Sequence, residues 1–432
     1  MFAIPVGTTV GGLTSAQQEK LFDRGRAHDP AVGEAVARLI ADVRTRGDSA
    51  LREQAQRFDS VADLRIEVPR AEWDAAILEL SDNVRAGLEH AAKNIAAFHR
   101  AQLPQLLELQ IEPGLTLGRR ADPYERVAVY APGGRAAYPS SVLMGVVPAR
   151  VARVREVMVC SPAGAKGLPP RSVLAACAIG GADRLFAIGG AGAIAAVAFG
   201  TASVPRADKI VGPGNAYVTE AKRQVNGVVA VDCPAGPSEV LVIADDTADA
   251  KLIAFELLAQ AEHDPDAASV LVTTSRTLCE QVAHVVATEL AAQPRRDIIT
   301  SSLGSGGALL VAADEDELVD FNRRYAPEHL TLYVQNPRAI LARITNAGTV
   351  FLGQAASVAF GDYLTGANHV LPTARLARSY SGLSTLDFVR WTTYQEISPR
   401  AAARLAGPTA VLADAEGLPA HAQAARLRGA AS

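Results

Sequence analysis

From Val154 to Ala313 the chain repeats one pattern: a short apolar run, a turn marked by glycine or proline, a helical stretch, then another apolar run. VREVMVCSP, RLFAIGG and ADKIVGPG read as strands, with PPRSVLAACAIGG, AGAIAAVAFG and NAYVTEAKRQV as the helices after them. VVAVDCPAGPSEVLVIADD carries two more strands. Strands joined through helices run parallel, and a parallel sheet needs helices on its faces, so the pattern predicts an α/β domain. The alternation then restarts. DTADAKLIAFELLAQAEH reads as a helix capped by Asp246 or Thr247 and stopped before Pro265, ASVLVTTS as a strand, TLCEQVAHVVATELAAQ as a helix and GALLVAA as a strand. That restart predicts a second α/β domain, and 432 residues are too many for one simple core.

The flanks are less regular. Residues 1–25 read as a short arm. Val36, Leu39, Ile40 and Val43 recur at helical spacing between Pro30 and Phe58, and a further helix runs from about Ser81 to Phe98. LELQIEPGLTLGRRADPYERVAVYAPGG is strand-like, with turns at Pro113-Gly114 and Pro132-Gly133-Gly134. After about Thr373 the pattern turns helical and alanine-rich, with no strand signal.

Composition narrows the function. The net charge is −4 and no basic stripe with interleaved aromatics appears, which argues against a nucleic-acid partner. No apolar run reaches the roughly 18 residues of a membrane span, and MFAIPVGTTVGGL lacks the regions of a signal peptide. Cys160, Cys177, Cys233 and Cys279 are scattered among apolar residues, as expected of reduced, buried thiols in a cytoplasmic protein.

Chemistry-bearing residues lie in separate stretches that only a fold can gather. Gln260 and His263, spaced i, i+3 near a helix end in LLAQAEHDPD, share one face. Imidazole suits zinc, although a glutamine oxygen is an uncommon ligand. YAPEHL holds the adjacent acid–base pair Glu328 and His329, and histidine titrates near neutral pH. Asp362 lies in FGDYLTGANHVLPT, and Glu416 and His421 in AEGLPAH. Taken singly, each has a plainer reading as a polar helix end, a solvated loop, a turn aspartate or a tail residue. Gly190-x-Gly192-x-x-Ala195, with Asp208 downstream, matches a dinucleotide fingerprint only superficially. KIVGPGNAYVTEAKR places a glycine turn at a helix start, where backbone N–H groups can meet a phosphate.

Together these stretches closely resemble the histidinol dehydrogenases, a zinc- and NAD-dependent family of histidine biosynthesis. The likeness runs from about residue 30 to residue 421, most specifically in YAPGGRAAYPSSVLM, KIVGPGNAYVTEAKRQV, PAGPSEVLVIAD, LLAQAEHDPD, YAPEHL and GDYLTGANHVLPT. The resemblance implies two Rossmann-like α/β domains in an aldehyde dehydrogenase-like architecture, with small helical arms at both ends that reach across a homodimer. On it, residues 1–25 form the N-terminal arm. Residues 26–129 with 240–380 form the zinc-bearing and catalytic domain, 130–239 the NAD-side domain, and 381–432 the exchanged C-terminal arm. Gln260, His263, Asp362 and His421 match the zinc ligands, one ion per subunit, with His421 given by the other subunit. Glu328 and His329 match the catalytic pair. Ser238 and Glu416, with Gln260, His263, His329, Asp362 and His421, match substrate contacts. Tyr130, Gly192 and Asn215 match cofactor positions. The implied reaction takes L-histidinol through L-histidinal to L-histidine in two NAD-linked oxidations.

Two departures accompany the likeness. Gly192 stands where the family often has a glutamine that helps hold the cofactor, which puts one cofactor hydrogen bond in question. The tail after His421 is short, yet Glu416 and His421 keep their spacing. Residue chemistry alone leaves other readings open: a dehydrogenase of another polar alcohol on the same scaffold, a zinc hydrolase with Glu328 activating water, or a non-catalytic metal-binding protein.

Overall fold

The structure, a computed structural model, describes residues 2–24, 29–133, 137–164, 166–234 and 236–430. Strand β1 (Thr8–Thr9) is followed by the helices Ser15–Phe22, Pro30–Arg46, Asp48–Asp59, Arg70–Glu79 and Asp82–Arg100, and then by β2 (Leu107–Glu112) and β3 (Leu115–Pro123). Gly47, at φ +55°, breaks the helical pattern between Pro30 and Phe58 into two helices.

Next, β4 (Arg126–Tyr130), β5 (Glu156–Cys160), β6 (Arg184–Phe186), β7 (Lys209–Val211) and β8 (Ala230–Val231) alternate with the helices Pro139–Val151, Arg171–Gly180, Gly190–Phe199 and Ala216–Val225. They pair in parallel in the order β6-β5-β4-β7-β8. Then come β9 (Glu239–Ala244), β10 (Ala268–Thr273), β11 (Gly307–Val311), β12 (His329–Tyr333) and β13 (Thr349–Leu352), which with β1 make a second parallel sheet, β1-β11-β10-β9-β12-β13. The two α/β units expected from the alternation are both present.

Side-chain alternation builds the second unit. Val240 and Val242 of β9 enter the core beneath the helices Ala250–Ala261 and Arg276–Glu289, whereas Leu241 and Ile243 enter the core on the opposite face. That opposite core also takes Ile4, Val10, Leu13 and Phe22, and β1 pairs with β11. Residues 2–24 thus add a sheet edge and part of a core to the second unit of their own chain.

The helices between Pro30 and Arg100 differ from the expected division, which put them with the zinc-bearing sheet. Val36, Ile40, Leu51, Trp73 and Ile95 are buried with Val127, Val129, Val157 and Val159 in the core of the five-stranded sheet. Their amphipathic stripes were plain in the sequence, but a stripe does not specify which sheet it covers.

The end of the chain also departs from expectation. β14 (Val389–Ile397) pairs antiparallel with β3 in a three-stranded ribbon, β14-β3-β2, and only then do the helices Pro399–Ala415 and Pro419–Ala430 form a hairpin. Of the capping choices, neither Asp246 nor Thr247 is used. Asp249 caps the Ala250–Ala261 helix, accepting from the Lys251 amide at 2.7 Å, while Thr247 bonds to Asp245. The four cysteines are unpaired, with Cys233 half-buried and the others buried. Among the described residues, no helix is long and apolar enough to cross a membrane.

Candidate active site

His329 begins β12 and sits in register with Val240, so Glu328 lies beside Glu239 at the amino ends of two neighbouring strands. Ala326, in the left-handed region at φ 48°, turns the chain from the Glu315–Tyr325 helix into that strand. Glu328 and His329 are both buried. The Ser238 hydroxyl and the Glu239 amide both donate to Glu328 Oε2, at 2.6 and 2.8 Å. Burial nevertheless pushes the Glu328 carboxyl up to about 7, more than the neighbouring His329 and these two bonds pull it down. His329 Nδ1 is 3.0 Å from the Glu239 carbonyl, which makes it the protonated nitrogen. Its Nε2 is enclosed and makes no hydrogen bond.

Gln260 occupies the last turn of the Ala250–Ala261 helix and is 2% exposed, with neither amide atom hydrogen-bonded. His263 follows just past the helix end. Asp362 comes from the short Val358–Tyr363 helix and stands among three imidazoles. His263 Nε2 is 4.0 Å from its Oδ2, while His329 Nε2 and His369 Nδ1 are 3.8 and 3.9 Å from its Oδ1. Burial pushes the imidazoles of His263 and His369 down, toward the neutral form that binds metal.

Such orphaned atoms fit an ion. A buried glutamine with both amide atoms unpaired is costly, and Gln260, His263 and Asp362 offer oxygen and nitrogen donors of the kind zinc accepts. Among the described residues, no three of His, Cys, Asp or Glu are already drawn together closely enough to hold a metal. Glu416 and His421 are not brought to this cluster. They lie exposed on the C-terminal hairpin, where their backbone amides bond to Leu412 and Leu418. His369 was passed over in the sequence. It lies in the loop that follows the helix of Asp362, bonds to the Asp362 carbonyl through Nδ1 at 2.9 Å, and meets Ser141 Oγ through Nε2 at 3.2 Å. The signal was there, a second titratable side chain in one polar loop, but loop histidines are common.

A cleft of about 960 Å³ opens at the carboxyl ends of β4 to β7, with Tyr130, Gly133, Pro162, Gly189 and Asn215 among its walls. Here the strand order turns back between β4 and β7, the usual position of ligand clefts in open α/β sheets. Tyr130 OH accepts from the Gly190 amide at 3.1 Å, and burial pushes this phenol up to about 12. Asn215 caps the Ala216–Val225 helix through the amides of Tyr217 and Val218. Gly212, at φ +114°, lies so close to β4 that a Cβ would meet the Tyr130 carbonyl oxygen at 2.1 Å. Gly192 does not face the cleft, because the side chain of Gln54 lies over it.

The sequence model described as histidinol dehydrogenase matches residues 22–429. This chain belongs to the histidinol dehydrogenase family. The histidinol dehydrogenase of Methanosarcina mazei is 47% identical over 417 residues, 96% of each chain. That of Vibrio parahaemolyticus is 44% identical over 427 residues, again 96% of each. A crystal structure of histidinol dehydrogenase from Elizabethkingia anophelis matches with a TM-score of 0.94 at 34% identity, covering 99% of this chain and 98% of that one. As a histidinol dehydrogenase relative the chain is an oxidoreductase acting on a CH–OH group, which sets aside the hydrolase and non-catalytic readings.

Proposed function

We propose that this protein oxidises L-histidinol to L-histidine through L-histidinal, the last steps of histidine biosynthesis, with two NAD per substrate and one zinc ion per subunit of a cytoplasmic homodimer. The reading rests on family membership and on one observation: His329 Nε2, 3.8 Å from Asp362 Oδ1, is buried without a hydrogen-bond partner, as is the Gln260 amide, and the carboxyl next to His329 is raised to about 7. When bound, zinc supplies a Lewis-acidic anchor for the substrate's amine and imidazole nitrogens, and NAD an acceptor for hydride.

Gln260, His263 and Asp362 would hold the ion from this chain, and His421 of the other subunit would complete the set. The exposure of His421 and Glu416 on the hairpin supports a role at a second subunit's site. Nδ1 of His329 is fixed as donor by the Glu239 carbonyl, so the Nε2 lone pair is directed to take the hydroxyl proton of the alcohol. Glu328, with a carboxyl that is partly ionised near neutral pH, takes a proton from water during hydration of the aldehyde. His329 then takes the proton of the resulting diol.

The test is to count NADH formed per L-histidinol consumed. Two, lost with a chelator and regained with zinc, is the expected result. One would remove the aldehyde step, and none would remove the substrate.

A further inference from the structure

The Asp48–Asp59 helix presents Gln54 and Phe58 to the cleft, opposite the glycine turn that opens the Gly190–Phe199 helix. The Gln54 side chain reaches across to that second helix. A Cβ built at Gly192 would lie 2.1 Å from Gln54 Oε1 and 3.2 Å from its Cδ. Glycine inside a helix costs about 1 kcal/mol relative to alanine. Gly192 has no positive φ that would require it. What the glycine does provide is the room that Gln54 occupies.

Within the protein Gln54 is only weakly engaged. Its Nε2 is enclosed and makes no hydrogen bond of normal geometry. A carboxylate within its influence is Asp42 of the neighbouring helix. Arg46 already grips that group with two bonds of 2.6 Å, and Arg46 is the main reason its carboxyl lies below the usual range, the Gln54 amide being the weakest contributor. A buried amide N–H without a good partner forgoes about 1–3 kcal/mol, and a turn of this side chain toward the cleft that it lines would present the N–H to a ligand oxygen.

We propose that Gln54 is a cofactor-binding residue, donating its amide N–H to an oxygen of the bound dinucleotide, and that Gly192 is the position that lets it do so. The inference rests on the reading of the cleft as the NAD site. Seen this way, glycine in place of the family's frequent glutamine exchanges one amide for another, delivered from the facing helix.

The experiment is calorimetric titration of NAD into the full-length protein without substrate, with thermal melts to confirm folding. Gln54→Ala and the isosteric Gln54→Glu should each weaken NAD binding about tenfold, equivalent to about 1.4 kcal/mol. Gly192→Gln should weaken it similarly by displacing Gln54, and adding Gln54→Ala to Gly192→Gln should restore affinity to within about twofold of the parent, a non-additive cycle. NAD binding unchanged in a folded Gln54→Ala protein would overturn the inference and leave the cleft as the NAD site. Failure of the parent protein to bind NAD would overturn both.

Discussion

The main chain of Glu239 holds both members of the Glu328–His329 pair, its N–H donating to the Glu328 carboxylate at 2.8 Å and its carbonyl meeting His329 Nδ1 at 3.0 Å. One peptide position on β9 thus sets the orientation of an acid and the tautomer of a base. This follows from the strand register, which makes residues 239 and 328 neighbours at the amino ends of β9 and β12. The cleft and this buried pair lie at opposite ends of their sheets, the cleft at carboxyl ends and the Glu328–His329 pair at amino ends.

Glu328→Gln should leave oxidation of the alcohol within a few-fold of the parent and slow oxidation of the aldehyde about 100-fold, the usual worth of a general base. Single-turnover assays started from L-histidinol and from L-histidinal separate the steps. Equal losses in both would remove the assigned role.

Ser238→Ala takes away a hydroxyl that lowers the Glu328 carboxyl, so that group should titrate above its present value of about 7. The acid limb of kcat/KM for the aldehyde should move to higher pH by roughly one to two units, the worth of one hydrogen bond to a charged group. Linkage gives a companion sign. Because this carboxyl is raised in the folded state, its contribution to stability is fully present below the unfolded value and is lost as pH rises through about 7. An acid limb that stays in place in Ser238→Ala would show that the hydroxyl does not act on Glu328.

Arg24 and Glu239 form a buried pair, with Nε and Nη2 at 3.0 and 2.9 Å from the two carboxylate oxygens. Removing one partner leaves the other charge buried alone, so Arg24→Ala should cost about 3 kcal/mol, read as a lower melting temperature and denaturation midpoint. A melting temperature equal to the parent's would show that this contact contributes nothing.

Gly212→Ala places a methyl against the Tyr130 carbonyl oxygen in a backbone conformation that alanine avoids. Strain of this kind costs roughly 1–3 kcal/mol, and the clash adds to it. Chemical denaturation should show the loss, together with weaker NAD binding, because Tyr130 and Asn215 on either side line the cleft. Unchanged stability and binding would mean that the turn relaxes freely.

Neither His421→Ala nor Gln260→Ala should retain zinc or activity when assayed alone. Mixed under conditions that exchange subunits, the two should regain part of the activity, because one site of the mixed dimer escapes both substitutions. No recovery after exchange has been verified by mass would argue against a shared site.

Much of this was legible in the sequence, for reasons that differ by residue. The strand–helix alternation and the Gln260–His263 spacing are local patterns, and the fold kept them. β14 was missed because its residues are mostly exposed on both faces, leaving Trp391, Thr392, Thr393 and Tyr394 without the alternation that marks a half-buried strand. The sheet partner of the Pro30–Arg100 helices was not readable, since it depends on contacts far along the chain. Ser238 was expected to meet substrate, and its hydrogen bond to Glu328 was not foreseen because the two residues lie 90 positions apart. His369 needed the three-dimensional neighbourhood of Asp362 to stand out from other loop histidines.

Arg24 also has a consequence for how the molecule is made. Its hydrogen-bond partners Glu239 and Tyr325 lie 215 and 301 positions downstream, and its partner Glu239 supplies the backbone that orients Glu328 and His329. Contacts so distant along the chain are slow to form, and synthesis delivers the arginine long before anything exists for it to bind. The hydrogen bonds of Arg24 to Glu239 and Tyr325 therefore form only after residues 239 and 325 have been made, and the surroundings of the Glu328–His329 pair are completed late.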